Sequence, residues 1–520
     1  MKIRILSTSD VHGYFYPTDF STVDDRHELG FFKAASLIKH KRRQANADEI
    51  VLYIENGDII EGSPMDAYAY NTRDQTNYSQ KIVSMINNLA PDAAVLGNHE
   101  FNYGLNYLSD VFKKRTYPIL GANISGPNTK GIIDAPYRII EKKGVKLAIV
   151  GLTTQFIPHW EDPTNIKGLH FASALETLKK IVSKLRSQVD VLIVAYHGGF
   201  EADLDSGVPT EKNTGENEGS AILREIPEID ALVTGHQHRR EARLVNGIPV
   251  TQPGYRGSDV GEIVLELNDN KQIIQSSAQL LSVDKRDLPT DLKEIATDWY
   301  EATQAWLDQP VATISGNMRL TDHMNARLYG HPYLDLVNRV QMDATGAKIS
   351  GTSLFNDDVR GFGKNVTVRN VMNSYVYPNT LVVEKVTGAD LRAALERCAS
   401  FFELADDGSI KVSFAFRTPK VEFYNYDYYT GIDYSFDLKK PVGHRVGPIF
   451  FGEGELLDEQ EVEVALNQYR GVGGGDYPMF SADKIVREYA DDMPKLIIQY
   501  LQNHSEIVAE QPHNLQVIKQ

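Results

Sequence analysis

The sequence predicts a layered α/β protein of more than one domain, and three observations carry that prediction. Short apolar runs alternate with amphipathic ones through the first half of the chain, as in folds that cover sheets with helices. Most of these apolar runs end in glycine mixed with Asp, His or Asn, a pattern of strands that deliver polar groups from one sheet edge. Beyond Pro310 the texture changes to helices followed by a tyrosine-rich stretch, and 520 residues exceed one ordinary core, giving roughly two to four domains.

In chain order, the readings are a strand over 3–8, a helix over 31–41, a strand over 50–55, a helix over 78–89 and a strand over 93–96. The rhythm continues with a strand over 146–153, a helix over 172–187, and strands over 189–196 and 231–235. A polar helix pattern over 289–307, after the Lys285-Arg286-Asp287 turn, is expected to connect domains. The resulting division is a first domain over 1–285, a connecting helix and hinge over 286–312, and a second domain over 313–520 with helices over 333–345 and 389–402 and strand signals over 421–438. There is no internal repeat and no low-complexity segment.

Composition excludes several classes of function. The balance of 54 Lys+Arg against 70 Asp+Glu gives a formal charge of -16, which disfavours a broad grip on a nucleic-acid polymer or an anionic membrane. A small phosphorylated substrate stays compatible, because a bound cation reverses the local potential. The single cysteine, Cys398, lies on the apolar side of the helix pattern and reads as a buried, inert thiol. No apolar run reaches the length of a bilayer span. Residues 1–6 enter a strand pattern with no signal core, so the chain as read is expected in the cytoplasm, and in the periplasm or outside the cell if a leader has been removed.

The strand exits carry the chemistry. They read Ser9-Asp10-Val11-His12-Gly13, Asn56-Gly57-Asp58, Gly97-Asn98-His99-Glu100, His197-Gly198-Gly199 and Gly235-His236-Gln237-His238. Carboxylate, imidazole and amide together suit divalent manganese, zinc or iron, whereas calcium or magnesium would favour nearly all oxygen. One Asp-x-His on a loop is ordinarily a turn or a solvated side chain. Five such exits in sequence favour a metal site.

The ordered blocks Asp-x-His, Gly-Asp, Gly-Asn-His-Glu, His-Gly-Gly and Gly-His-x-His resemble those of the calcineurin-like metallophosphoesterase superfamily, and the whole chain is similar to the 5′-nucleotidase family. Within that family GDIIEGSPM at 57–65, GNHEFNYGLNYL at 97–108, VYPNTLVVEKVTG at 376–388 and YNYDYYTGIDYSFDL at 424–438 most resemble the 2′,3′-cyclic-nucleotide 2′-phosphodiesterase/3′-nucleotidase branch. The resemblance implies a four-layer αββα metallophosphoesterase domain, a connecting helix and a C-terminal α/β nucleotide-specificity domain, α+β overall. It implies two divalent metal ions, one held by Asp10, His12, Asp58 and His238, the other by Asp58, Asn98, His197 and His236, with Asp58 bridging. Two such ions hold a phosphoryl oxygen and lower the pKa of a shared water for in-line attack. His99 is implied as transition-state donor or leaving-group acid, with Glu100 supporting the loop.

Two departures bear on substrate. Many 5′-nucleotidases have aspartate three residues after this histidine, where it orients the imidazole; this chain has Asn102, as the cyclic-nucleotide branch does. An Asn-Gly-Gly-x-x-Arg segment typical of 5′-nucleotidases is replaced by residues 350–356, without its arginine, for which Arg360 or Arg470 could substitute. The family resemblance places an aromatic base clamp at Tyr426 and Tyr477, with Tyr424, Asn425 and Asp476 beside the base or ribose. With clamp and metals on different domains, the site is expected between them and the helix near 289–307 is the expected hinge. The implied activity is opening of 2′,3′-cyclic nucleotides to 3′-nucleotides and hydrolysis of those to nucleosides and phosphate. The alternatives are a 5′-nucleotidase or UDP-sugar hydrolase on the same metals and, remotely, a silent nucleotide-binding scaffold, whose mark would be a lost ligand.

Overall fold

The computed structural model describes residues 1–23, 25–210, 214–377, 379–418, 421–489, 491–504 and 506–519. It divides into two compact units, 1–304 and 305–520. Pro378, inside the motif at 376–388, lies outside the described residues.

The first unit is built on two six-stranded sheets. One has the order Ile273–Ser282, Asp259–Leu267, Lys2–Thr8, Glu49–Glu55, Ala93–Val95, Ile119–Leu120. The other runs Arg240–Val245, Ile248–Pro253, Ala231–Val233, Val191–His197, Val145–Thr153, Tyr137–Lys142. The central strands of both sheets are parallel, with Thr8 opposite Glu55 in the first and Thr153 opposite His197 in the second. Their C-terminal ends are therefore level, and the polar exits emerge along one edge of each sheet.

Alternation sets the layers. Along Val145–Thr153, Leu147 and Ile149 face Ile3, Ile5, Leu52 and Ile263 of the other sheet, forming a dry core between the sheets. Ala148, Val150 and Leu152 face outward onto Leu178, Val182 and Leu185 of the helix Ala174–Leu185. That helix starts where Ser173 caps the Glu176 N–H, and the Glu218 carboxylate accepts from the Ala174 N–H. On the far side, the helix Phe31–Gln44 packs on the strand Asp259–Leu267 and on the helix Tyr78–Leu89. The order is helix, sheet, sheet, helix.

The helix read over 289–307 spans Thr290–Leu307, and through Gln304 it belongs to the first unit. Trp299 explains why. Its indole is fully buried, donates to the Met65 carbonyl at 3.1 Å, and lies 5.5 Å from the Phe15 ring and 6.2 Å from the Tyr78 ring. Tyr300 stacks on Tyr16 at 4.2 Å, and Lys39 pairs with Asp291. The helix is thus anchored along most of its length, and the unit boundary falls in its last turn.

The second unit centres on a mixed five-stranded sheet, ordered Asp427–Thr430, Ile349–Ser353, Glu461–Asn467, Leu381–Thr387, Ile485–Tyr489. The helix Pro332–Thr345 packs on Ile349–Ser353, and the helix Gly388–Ala399 begins with a capping box between Thr387 and Asp390. Cys398 is buried beside Tyr477, and burial pushes its thiol up to about 12, which makes it inert. Among the described residues no helix is long and apolar enough to cross a membrane.

Removing the Trp299 side chain leaves a large void among Phe15, Tyr78 and Met65. Trp299→Ala is expected to cost about 3–5 kcal/mol of stability, read by urea unfolding of the full chain.

Candidate active site

The strand exits meet. The Asp10 N–H donates to the Gly57 carbonyl at 2.9 Å and the His12 N–H to the Asp58 carbonyl at 2.8 Å, which zips the first two loops together. The sheets are joined at the same edge by His197, whose Nδ1 donates to the Asn56 carbonyl at 2.7 Å. Glu100 ties in the third exit: its carboxylate accepts from the backbone N–H of Asp58 and of Ile59 at 2.7 Å each, and of Gly97 at 2.6 Å. The supporting role expected for Glu100 is thereby located.

The backbone is held in an unusual state here. Asp10, His12, Asp58, His236 and His238 all have positive φ, between 50° and 70°, the left-handed region that costs non-glycine residues energy. Five of the seven residues expected to bind metal share it. Such strain persists only where surrounding contacts overdetermine it, and it concentrates at functional sites. Gly97 shows how tight the packing is, since a Cβ there would sit 2.1 Å from Asp58 Oδ1 and 2.6 Å from His197 Cε1.

All seven expected metal residues come together, and their hydrogen bonds fix which atoms face inward. His12 donates Nδ1–H to the Glu61 carbonyl at 2.9 Å, which aims Nε2 at His238 Nε2, 3.1 Å away. His197, bonded through Nδ1, aims a fully buried Nε2 at Asp58 Oδ2 at 3.1 Å and Asp10 Oδ1 at 3.9 Å, and that Nε2 has no hydrogen-bond partner among the described residues. His236 Nε2 lies 3.0 Å from Glu216 Oε1, which can only accept, so Nδ1 turns toward Asn98 Oδ1 at 2.8 Å. His238 Nε2 lies 3.6 Å from Asp10 Oδ1. Lone pairs of imidazole, carboxylate and amide converge on one small volume, an arrangement that cations reconcile. The donor set fits divalent metal, and the outward bonds of His12, His197 and His236 fix their tautomers as metal-binding histidines require.

The electrostatics agree. Burial lowers His12 and His236 below the ordinary histidine value, keeping them neutral as ligands must be. Burial pushes Asp10 up to about 7, with Asp58 adding to it and His197 opposing. Burial also works against charge on His197 and Asp58, but their mutual attraction prevails, raising His197 to about 10 and holding Asp58 well below the carboxylate range.

His99 sits beside this cluster. Its backbone N–H donates to Asp58 Oδ1 at 2.8 Å, and its ring is 5.1 Å from that of His12. Burial opposes its protonation, yet Asp58 and Glu61 raise it well above the ordinary value. Asn102 Oδ1 lies 2.7 Å and Glu61 Oε2 3.0 Å from its Nδ1. Three carboxylates around the site, Glu61, Glu161 and Glu216, were not singled out by sequence reasoning. Glu61 lies inside the quoted GDIIEGSPM, but Glu161 and Glu216 reach the site from distant loops and carry no local signal. Trp160, stacked 5.4 Å from His236, is another such residue.

The base clamp is corrected. Tyr426 and Tyr477 are core residues of the second unit, 1% and 0% exposed. Tyr426 packs between Phe401 and Phe402 and donates its hydroxyl to the Arg327 carbonyl at 2.5 Å. Tyr477 lies between the Arg470 guanidinium, 3.8 Å from its centroid, and Phe480, and donates to the Asn425 carbonyl at 3.0 Å. Neither ring leaves a face for a base. The glycine loop before Tyr477 makes its close approach to the protein itself, since a Cβ at Gly475 would meet Asn425 Oδ1 at 2.0 Å. Asn425 is buried and bonded to Glu422, and Asp476 is exposed and pairs with Arg397 at 3.6 Å. Arg470 is committed to Asp427 at 2.6 Å and cannot replace the missing arginine.

Without Glu100, three buried N–H groups lose their acceptor at once. Glu100→Ala is expected to destabilise the metal-free chain by about 3 kcal/mol or more, measured by denaturant unfolding with chelator present.

Comparison with known proteins agrees with the order of the two units. The calcineurin-like phosphoesterase family matches residues 3–240, and the 5′-nucleotidase C-terminal domain matches residues 310–482. The structure of a putative 5′-nucleotidase from Staphylococcus aureus, solved with alpha-ketoglutarate, is similar at 36% identity over 100% of both chains, with a TM-score of 0.92. A 2′,3′-cyclic-nucleotide 2′-phosphodiesterase/3′-nucleotidase of Haemophilus influenzae is 27% identical over 97% of this chain and 85% of its own length. The trifunctional nucleotide phosphoesterase YfkN of Bacillus subtilis is 25% identical over 96% of this chain, which spans 38% of that protein. With the strained Asp/His cluster at the sheet edges of the first matched region and the second region following it, the chain belongs to the 5′-nucleotidase family of metallophosphoesterases and is a nucleotide phosphoesterase.

Proposed function

We propose that the chain opens 2′,3′-cyclic nucleotides to 3′-nucleotides and releases phosphate from the 3′-monoesters. The observation that carries this reading is the loop of residues 97–104, where His99 is held through Nδ1 by Asn102 rather than by an aspartate, beside the converging Asp/His cluster. It is supported by the named activity of the Haemophilus influenzae relative and of those from Yersinia enterocolitica and Salmonella typhimurium, which are 27–28% identical over 91–97% of this chain. The missing arginine at 350–356, with Arg470 already bonded in the core, counts against a simple 5′-monophosphate substrate.

Asp10, His12, Asp58 and His238 would hold one divalent cation, and Asp58, Asn98, His197 and His236 a second. When bound, the pair supplies positive charge to the phosphoryl oxygens and acidifies a water. The rest falls to the protein. Its buried, mutually bonded loops fix the ligands before substrate arrives, so little reorganisation is needed during reaction. His99, with Nδ1 engaged, presents Nε2 to the substrate and gives a proton to the departing ribose oxygen, O2′ in the cyclic ester and O3′ in the monoester.

With manganese added, 2′,3′-cyclic AMP is expected to yield 3′-AMP and then adenosine, while 5′-AMP turns over at least about tenfold more slowly; His99→Ala should lower cyclic-ester turnover by about 10²–10⁴. Product identification by chromatography checks both. Turnover confined to 5′-AMP or a UDP-sugar would move the chain to those activities, and manganese binding without turnover of any of them would mean a silent scaffold.

A further inference from the structure

Behind the proposed acid stand two carboxylates, Glu61 directly on His99 Nδ1 and Glu161 one residue further out, through Asn102. Glu161, 8% exposed, has two oxygens and three donors. Oε1 accepts from the Asp162 backbone N–H and from Asn165 Nδ2, each at 2.9 Å, and Oε2 accepts from Asn102 Nδ2 at 2.7 Å. A carboxylate accepts only, so it dictates which end of the Asn102 amide faces it. The amide nitrogen being committed, Asn102 turns Oδ1 to His99 at 2.7 Å, and Nδ1 of His99 must be the donor. Glu61 Oε2, 3.0 Å from the same Nδ1, asks for the same proton.

We propose that Glu161 is a positioning residue that sets the direction of the Glu161–Asn102–His99 chain and so keeps Nε2 as the working atom of His99. Burial leaves no solvent to take its place, and the segment that carries it is pinned by buried Ile157, by Trp160 against His236, and by Asn165, which also donates to the Asn102 carbonyl at 2.9 Å. The inference rests on His99 acting as leaving-group acid.

Glu161→Gln keeps the shape and reverses the polarity. The new carbonyl stays with the Asp162 N–H, the new amide nitrogen meets Asn102, and Asn102 must turn its own nitrogen toward His99. In the full manganese-loaded chain, Glu161→Gln is expected to lower kcat on 2′,3′-cyclic AMP about 10²-fold with KM changed less than about threefold, and to lower turnover of bis(p-nitrophenyl) phosphate, whose leaving group needs no proton, less than about fivefold. Adding Asn102→Asp to Glu161→Gln restores the direction, because an aspartate accepts from both neighbours, and turnover of the cyclic ester should return to within about tenfold of the parent. In nitrogen-15 NMR of the zinc-loaded protein at a pH high enough to remove the Nε2 proton that His99 donates, the neutral ring should keep its proton on Nδ1 in the parent and double variant, and the Nε2-protonated form should appear in Glu161→Gln, where Glu61 alone still asks for the Nδ1 proton. Equal losses on both substrates, or no recovery in the double variant, would reduce Glu161 to a loop anchor and overturn the proposal. A parent inactive on the cyclic ester with the tautomer reversal intact would instead sink the substrate assignment and leave the chain's direction standing.

Discussion

Everything at the active edge follows from one electrostatic constraint: buried lone pairs pointed at one another. His12, His197 and His236 each spend a ring nitrogen on an outward partner, the Glu61 carbonyl, the Asn56 carbonyl and the Glu216 carboxylate. Their remaining nitrogens face Asp10, Asp58, Asn98 and His238 across 2.8–3.9 Å. Acceptors so close repel unless positive charge lies between them, and burial makes the repulsion larger by excluding water. The left-handed backbone of five of these residues is a further cost. Burial raises Asp10 to about 7, and Asp58 and Asp10 raise His197 to about 10 against the effect of burial.

What maintains it is the stiffness of two parallel sheets with level ends. Registers of Thr8 with Glu55 and Thr153 with His197 bring the exits to the same height, and the shared core of Ile3, Ile5, Leu147 and Ile149 fixes the gap between the sheets. Glu100 then converts two separate loops into one unit by accepting N–H groups from both. The chemistry is thus placed by backbone hydrogen bonds, while the carboxylates around it come from the Asp58 loop itself, as Glu61 does, or from distant loops, as Glu161 and Glu216 do.

Legibility in the sequence follows the same division. Strand exits were readable because a β-strand announces itself by a local apolar run and its end by glycine and polar residues; the strands Lys2–Thr8, Glu49–Glu55 and Val145–Thr153 differ from the sequence reading by one residue or none at each end. The hairpins Arg240–Pro253 and Asp259–Ser282 carry a weaker signal: Arg240–Val245 and Ile273–Ser282 are partly exposed with mixed polarity, and the buried Ile248–Pro253 and Asp259–Leu267 are interrupted by Pro, Thr, Gln, Gly and Glu. Glu161 was unreadable for a different reason: its role exists only through Asn102, 59 positions away. Tyr426 and Tyr477 show the limit of carrying roles across a resemblance. A motif position transfers more safely than the exposure of its side chain, and here an aromatic-rich core enclosed both rings. The helix over Thr290–Leu307 reads as polar by composition, yet Trp299 and Tyr300 bind it to the first unit.

The central claim is that the converging lone pairs are arranged for two cations sharing Asp58. Anomalous diffraction from crystals of the chain soaked in manganese tests it most directly. The account predicts two peaks about 3.5–4 Å apart with Asp58 between them. A single peak, or two peaks with Asp58 bound to neither, would contradict it.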